Sequence, residues 1–227
     1  MKSAQPNYQG TPNFGQAISQ ATPHAKERAM TRPFHKGLGA DLVVAPDVDT
    51  DELGTFCAER PRPGSPAEVC LIKAELGMKA AGLSLGVASE GSFGPHPMVP
   101  LLAVGEEWMT FVDRDRDLVI VERQLVRGTN FSHRLVSPDH DLTEWLALIG
   151  FPRHGVILRP HHPLVPGSAH KGIRDPALLA SAIGLCRSGS ADGLALVETD
   201  MRAHKKPTRM WSIRALAFRL VRRIATP

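Results

Sequence analysis

Short apolar runs alternate with segments of helical periodicity along this 227-residue chain, and this alternation limits the fold more than any other feature. The apolar runs are predicted strands, and they lie at 17–22, 41–46, 83–88, 155–160 and 193–200. The predicted helices lie at 24–39, 65–82, 141–149, 176–187 and 206–224. Two further strands, 108–112 and 118–121, flank the charged turn DRDRD and predict a hairpin. The sequence therefore predicts an α/β fold with a mixed central sheet flanked by helices and one inserted hairpin.

Local signals mark the ends of two predicted helices. A helix should begin after Ser65, which is suited to the N-cap, with Pro66 at the first helical position and Glu68 at the third. This helix should end near Gly82. Pro33 is predicted to interrupt the helix over 24–39, because proline has no backbone N–H to donate.

The composition fits one domain, predicted over 17–227, after a polar and disordered lead-in over 1–16. No apolar run approaches the roughly 18 residues of a membrane span. The three cysteines form no CxxC pair, which favours a reducing compartment, and we therefore expect a cytoplasmic protein without a membrane partner. The net charge of +4 suits an anionic ligand, while an aromatic content of 5% argues against a nucleic-acid partner.

The connection between the first predicted strand and the first predicted helix contains Thr22, His24 and Lys26. Backbone amides at a helix N-terminus, with a hydroxyl and a lysine close by, bind phosphate oxygens. These three residues are therefore candidate substrate-binding residues. The alternative is structural, with Thr22 capping the helix and Lys26 solvated.

A second candidate lies where the strand over 83–88 ends in the polar segment SEGSFG. Glu90 leaves the carboxyl end of this strand, and ligands of α/β folds bind at that edge of the sheet. Gly91 and Gly94 allow a ligand to approach the backbone closely. We therefore predict that Glu90 is a functional loop residue, with Ser92 as a substrate-binding residue beside it. The alternative is a solvated loop.

A third candidate is the segment ALVETDMRAHKKPTRM, residues 195–210. Its alternating carboxylates, Glu198 and Asp200, are suited to a hard cation. Arg202, His204 and Arg209 follow, and arginines bind phosphates through paired hydrogen bonds. The alternative is a solvated charge cluster at the start of a helix.

The run EVCLIKA over 68–74, followed by ASEGSF over 88–93, resembles two motifs of the nucleoside triphosphate pyrophosphatases of the inosine-triphosphatase, Ham and Maf group. Those motifs are a Glu-Asn-Ala-x-x-Lys-Ala helix and an Asp-Asp-Ser-Gly-Leu strand end. In that group a Ser/Thr-x-Asn-x-x-Lys phosphate loop precedes both, and here Lys26 stands one residue early for its lysine. The resemblance implies that Glu68 is a magnesium ligand, that Glu90 is a ligand or general base, and that Lys26 and Lys73 contact phosphate oxygens. The chain has Val69 and Ser89 where those motifs have Asn and the first Asp.

The chain is also similar to an uncharacterised bacterial family of unknown function, through the segments SEGSFGPHP and LVETDMRAHKKPTRM. This second similarity extends from about residue 17 onward, whereas the pyrophosphatase motifs support only residues 17–95.

These observations predict a magnesium-dependent hydrolase that acts on a nucleoside triphosphate or a related phosphorylated nucleotide and releases pyrophosphate. Its catalytic residues would be Glu68 and Glu90, and its Mg²⁺ ligands would be Glu68, Glu90, Glu198 and Asp200. A protein that binds a nucleotide or a phosphorylated metabolite without turnover is the alternative. Nucleic-acid binding through the basic last helix is a further alternative. The arginines of this helix fall on several of its faces, which suits solvation better than a single binding surface.

Two further points stay open at the level of sequence. A zinc site could form in the loop that contains His161, His162 and His170, although it has neither helical spacing nor a partner cysteine. The oligomeric state is not determined by the sequence, and a homodimer is among the alternatives.

Overall fold

The computed structural model describes residues 13–21, 25–46, 48, 63–96, 99–126, 129–203 and 206–226. The strands in this part of the chain are β1 (Ala17–Gln20), β2 (Asp41–Val44), β3 (Leu85–His96), β4 (Val99–Asp113), β5 (Leu118–Val126), β6 (His133–Val136), β7 (Val156–Pro160), β8 (His170–Ile173) and β9 (Ala195–Thr199). The helices are α1 (Glu27–Leu38), α2 (Pro66–Ala81), α3 (Thr143–Ile149), α4 (Pro176–Ser188) and α5 (Pro207–Ala225).

The chain divides into two compact units. The first unit comprises residues 1–92, 105–126 and 207–227, and the second unit comprises 93–104 and 127–206. The single domain predicted over 17–227 stays a prediction, because two compact units can belong to one folding domain. Residues 1–12 of the predicted lead-in lie outside the described residues, whereas Asn13 is buried and accepts a hydrogen bond from Arg116.

The first unit is built on a five-stranded mixed sheet with the strand order β2-β1-β3-β4-β5. β1 runs parallel to β2 and β3, whereas β4 and β5 form the predicted antiparallel hairpin. Helix α2 packs on β1, and α1 packs against α5, which also contacts β5. The predicted α/β class and mixed sheet are confirmed, and Leu85–Ala88 lies in an interior strand as its apolar residues require.

Helix α2 begins as its sequence predicts. Ser65 is the N-cap, Pro66 is at the start of the helix, and Glu68 completes a capping box with the backbone and side chain of Ser65. Gly77 lets this helix lie close to β1, because a Cβ there would come within 2.9 Å of the Ala21 Cβ.

Helix α1 runs through Pro33, so the predicted interruption is wrong. Pro33 is buried on the same face as Met30 and Phe34, and this apolar face packs where α1 meets α5. Burial of that face outweighs the single backbone hydrogen bond that a proline removes.

The predicted loop SEGSFG is also wrong, because β3 continues as a strand through Glu90 to His96. β1 pairs with β3 only as far as the partners Gln20 and Val87, and beyond that point β3 continues beside β4. Glu90 was predicted to leave the carboxyl end of its own strand, but it lies within β3, past the carboxyl end of the neighbouring β1.

The second unit contains a separate antiparallel sheet with the strand order β6-β9-β7-β8. Its core joins the sheet to α3 and α4 through buried residues such as Trp145, Leu158, Leu179 and Val197. The structure therefore has two sheets where the sequence predicted one central sheet. β6 and β8 were not predicted, because both are four-residue strands in segments rich in polar residues, histidine or glycine.

Among the described residues, no helix combines the length and apolar character needed to cross a lipid bilayer.

Candidate functional site

Five buried charged side chains from five elements or connections gather in the first unit. We call this set the charged centre, and its members are Lys26, Lys73, Glu90, Glu107 and Arg209. None of the five is more than 7% exposed to solvent. Charged residues are rarely buried unless they are paired or serve a ligand, so this set is the leading candidate for a functional site.

Lys26 enters the charged centre from the connection between β1 and α1. It immediately precedes α1, and its Nζ atom donates a hydrogen bond of 2.7 Å to the carbonyl oxygen of Ser89. Because Ser89 lies past the last paired residue of β1, this contact places the ammonium group at the predicted edge of the sheet.

Lys73 and Glu90 form a buried ion pair between α2 and β3. The Lys73 Nζ atom lies 2.7 Å from the Glu90 Oε2 atom. Ala88 packs against Cys70 and Ala74 of α2, and side chains two residues apart on a strand share a face. Glu90 therefore faces α2 because of its register in β3.

Glu107 and Arg209 form a second buried ion pair, between β4 and α5. The Arg209 Nε and Nη2 atoms lie 2.5 and 2.9 Å from the two carboxylate oxygens of Glu107. Val112 of β4 packs against Cys70 and Ala74 of α2. Side chains an odd number of residues apart on a strand point to opposite faces, so Glu107 faces the side of the sheet away from α2. The charged centre thus has one ion pair on each face of the sheet.

The five charges act on one another through a buried environment. Burial lowers the pKa of Lys26 to about 8, with Arg209 and Lys73 acting in the same direction and Glu90 and Glu107 opposing them. Among the described residues, the charged centre has three basic groups and two carboxylates, so these five side chains sum to a charge of +1 when Lys26 is protonated.

Two uncharged polar side chains lie buried beside the charged centre. The side-chain amide of Gln20 and the hydroxyl of Ser89 have no hydrogen-bond partner among the described residues. Gln20 pairs with Val87, and Ser89 lies two residues further along β3, so both side chains lie on the face that carries Glu107. Buried polar groups normally have partners, and a bound ligand would supply them here.

The remaining predicted residues of the first unit fall outside the charged centre. Glu68 is exposed, and its Oε2 atom accepts a 2.7 Å hydrogen bond from the Ser65 backbone, which holds the pKa of this carboxyl below its usual range. The capping box thus gives Glu68 a structural role, and its part in metal binding stays a prediction. Ser92 is half-buried in β3 and shares the face of Glu90.

The predicted residues of the second unit form their own contacts. Asp200 is buried and accepts hydrogen bonds from Arg202, among them one of 3.0 Å from Nε to Oδ1 and one of 2.7 Å from Nη2 to Oδ2. Glu198 is half-buried in β9, opposite His133 of β6. Thr22, His24 and His204 lie outside the described residues.

Glu107 and Gln20 were missed by the sequence reasoning. Glu107 occupies alternate positions along β4 with the buried residues Met109 and Phe111 and so lies on the same face of the strand. A carboxylate at an otherwise apolar position of this alternation indicates a buried charge and could have been identified from the sequence. Gln20 is the corresponding case in β1, where it follows the fully buried Ile18 at a spacing of two residues.

Comparison with known proteins gives one match. The sequence model of a family described as a domain of unknown function, DUF6671, matches residues 73–227, which is more than half of the chain. Four members of the charged centre lie in that range, and Lys26 and Glu68 precede it. Comparison with curated proteins and with solved structures gives no match, so the resemblance to nucleoside triphosphate pyrophosphatases gains no support from either comparison.

Proposed function

The chain belongs to the DUF6671 family, and from the charged centre we propose that this protein binds a phosphorylated small molecule, in the first instance a nucleotide. The observation that carries the proposal is an excess of positive charge among the described residues, where three buried basic groups lie near two buried carboxylates. Removing a charge from water without compensation is costly, and a bound anion supplies the missing negative charge.

The chemistry of the basic groups favours phosphate over a simple carboxylate. Arg209 offers a planar set of donors that matches phosphate oxygens, while Lys26 and Lys73 add two ammonium groups. Lys26 also immediately precedes α1, whose N-terminus carries a partial positive charge. A phosphoryl group at the sheet edge where Lys26 contacts Ser89 would receive donors from Lys26 and, depending on the face of the sheet that it occupies, from Lys73 or from Arg209.

The buried uncharged groups favour a ligand that carries hydroxyl or amide functions in addition to phosphate. Gln20 and Ser89 together offer both donors and acceptors, and neither side chain has a partner among the described residues. A nucleotide has ribose hydroxyls and base edges of this kind, whereas inorganic phosphate does not. This difference is why a nucleotide is proposed ahead of a free phosphate.

The second candidate function is hydrolysis of that nucleotide, supported by the buried carboxylate of Glu90. A phosphate that engages Lys73 would weaken the hold of this lysine on Glu90 Oε2, and the carboxylate could then accept a proton from an attacking water. The water oxygen would bond to the α-phosphorus, the bond to the β-phosphate oxygen would break, and pyrophosphate would leave.

Magnesium fits this second candidate in its ligand type, because carboxylate oxygens such as those of Glu90 are the donors that it prefers. Bound there, it would screen the phosphate charge. Glu68 stays a proposed ligand, although its carboxylate caps α2 in the structure. The ligand roles of Glu198 and Asp200, which belong to the second unit, stay predictions from the sequence, and the Asp200 carboxylate binds Arg202.

A panel of nucleoside triphosphates and inorganic phosphate, titrated calorimetrically with and without Mg²⁺, tests the first proposal. We expect saturable binding of at least one nucleotide and much weaker binding of inorganic phosphate. Pyrophosphate release measured on the same samples tests the second. Binding without release supports a non-catalytic protein, and the absence of any binding contradicts both functions.

A further inference from the structure

Two histidines and an aspartate converge in the second unit, away from every residue used above. His161 and His162 directly follow β7, and Asp192 lies in the turn that precedes β9. We call these three residues the His–Asp cluster. Of the residues that the structure describes, this is the group of three potential metal ligands whose donor atoms all lie within 4.8 Å of one another.

Both imidazole rings approach the same carboxylate oxygen. The Oδ2 atom of Asp192 lies 2.6 Å from His161 Nδ1 and 3.8 Å from His162 Nε2. The centroids of the two rings are 4.1 Å apart. The donor atoms of a tetrahedral zinc ion with bonds near 2.1 Å are separated by roughly 3.4 Å, so small rotations of these side chains would accommodate one ion.

The other carboxylate oxygen of Asp192 is held by groups behind the cluster. Its Oδ1 atom accepts hydrogen bonds from the Ser190 hydroxyl at 2.6 Å and from the Leu194 backbone at 3.1 Å. Metal-binding side chains are typically oriented by such outer hydrogen bonds. The arrangement therefore directs Oδ2 toward the two imidazoles.

Backbone hydrogen bonds fix the two loops against each other. The His161 backbone N–H donates to Leu194, and the His162 carbonyl accepts from Ala191. The Ser190 hydroxyl accepts from the His162 backbone N–H. These contacts fix the backbone at the cluster without any help from a metal, so side-chain rotations are the adjustment that binding would need.

We propose that the His–Asp cluster binds a divalent transition-metal ion through one nitrogen of each imidazole and the Asp192 carboxylate. Imidazole ligands favour zinc and similar metals over magnesium or calcium, which take oxygen donors. Three protein ligands leave at least one coordination position for water or a further ligand. The zinc site considered from the sequence thus takes Asp192 as its third ligand in place of His170.

A plain ion pair between His161 and Asp192 is the competing explanation. It accounts for the 2.6 Å contact, but not for the second imidazole near the same oxygen. Two positively charged imidazoles at this separation would repel each other. A metal ion instead requires neutral imidazoles and an ionised carboxylate.

Zinc titration of the full-length protein, stripped with a chelator and followed by calorimetry against a competing chelator, tests the proposal. We expect one saturable Zn²⁺ site in the wild-type protein. His162→Ala and Asp192→Asn should each weaken binding at least tenfold, and Ser190→Ala should weaken it about tenfold through loss of the outer hydrogen bond. His170→Ala, which changes an exposed histidine of β8, is the matched control and should bind within twofold of wild type.

Circular dichroism of each variant checks that the fold is retained, and His162→Ala removes an exposed side chain that should not be needed for folding. A zinc-dependent rise in melting temperature in wild type and in His170→Ala, but not in His162→Ala, would support the site. The absence of saturable Zn²⁺ binding in the wild type would overturn the proposal. Equal affinities of wild type, His162→Ala and Asp192→Asn would also overturn it, since any zinc would then be bound elsewhere.

Discussion

The Lys26 ammonium group donates a hydrogen bond of 2.7 Å to the carbonyl oxygen of Ser89, directly beside Glu90 in β3. This contact holds a buried cation from the β1–α1 connection against the middle of a long strand. Burial there lowers the pKa of Lys26 to about 8. A group with this pKa makes both ligand binding and stability depend on pH.

Stability should depend on pH through Lys26. The folded protein releases the Lys26 proton near pH 8, whereas the unfolded chain keeps it to a higher pH, so the unfolded state binds more protons above pH 8. The free energy of unfolding contributed by Lys26 therefore rises with pH, by about 1 kcal/mol between pH 8 and pH 9.

Urea denaturation of wild type and Lys26→Met over this pH range measures the effect. Burial raises the pKa of Cys70 and of Cys186 to about 11, and these thiols lower stability above pH 9 in both proteins. The contribution of Cys186 cancels in the difference between the two curves, and that of Cys70 cancels apart from the weaker effect of the Lys26 charge on the pKa of this thiol. A difference that stays constant from pH 8 to pH 9 would contradict the assignment.

The Glu107–Arg209 pair should be strongly coupled. Because both side chains are almost fully buried, Glu107→Gln or Arg209→Met alone should lower the free energy of unfolding by about 3–5 kcal/mol. The double variant Glu107→Gln/Arg209→Met leaves no buried charge at either position and should recover at least half of that loss. Chemical denaturation measures all three variants, and single-variant losses below about 1 kcal/mol would show that the pair is not needed.

Glu90 and Glu68 should respond differently to the same substitution. If the protein hydrolyses its ligand, Glu90→Gln should lower pyrophosphate release by about 10²- to 10⁴-fold, because the proton acceptor is lost. Glu68→Gln should change stability by no more than about 0.5 kcal/mol, since glutamine also serves a capping box.

Calorimetric nucleotide titrations and pyrophosphate assays on both variants separate these roles. Loss of magnesium-dependent activity in Glu68→Gln, with the fold retained, would support the prediction that Glu68 is a metal ligand in addition to capping α2.

Local signals in the sequence predicted the helices well. The start of α2 at Ser65 and Pro66 follows from side-chain hydrogen bonds between residues three apart, which a sequence displays directly. The predicted interruption at Pro33 was wrong because the lost backbone hydrogen bond is visible in the local sequence, whereas the compensating contact between α1 and α5 joins distant parts of the chain.

The strands and the charged centre were harder to predict. The extension of β3 through Glu90 depends on β4, which the sequence does not reveal as its partner. Lys26 and Glu90 were predicted because each stands next to a predicted helix start or strand end, whereas Lys73, in the middle of α2, was predicted only through the resemblance to the pyrophosphatase motifs. Glu107 was missed because its role depends on Arg209, which is 102 residues away.

The central claim is that the charged centre binds a phosphorylated ligand, and one calorimetric comparison tests it most directly. The nucleoside triphosphate bound best by wild type is titrated into Lys73→Met and into Lys79→Met, which removes an exposed lysine from the same helix. We predict that Lys73→Met weakens binding at least tenfold, because a buried charge-assisted hydrogen bond to phosphate is lost. Lys79→Met should bind within twofold of wild type. Equal losses in the two variants, or none in Lys73→Met, would contradict the account.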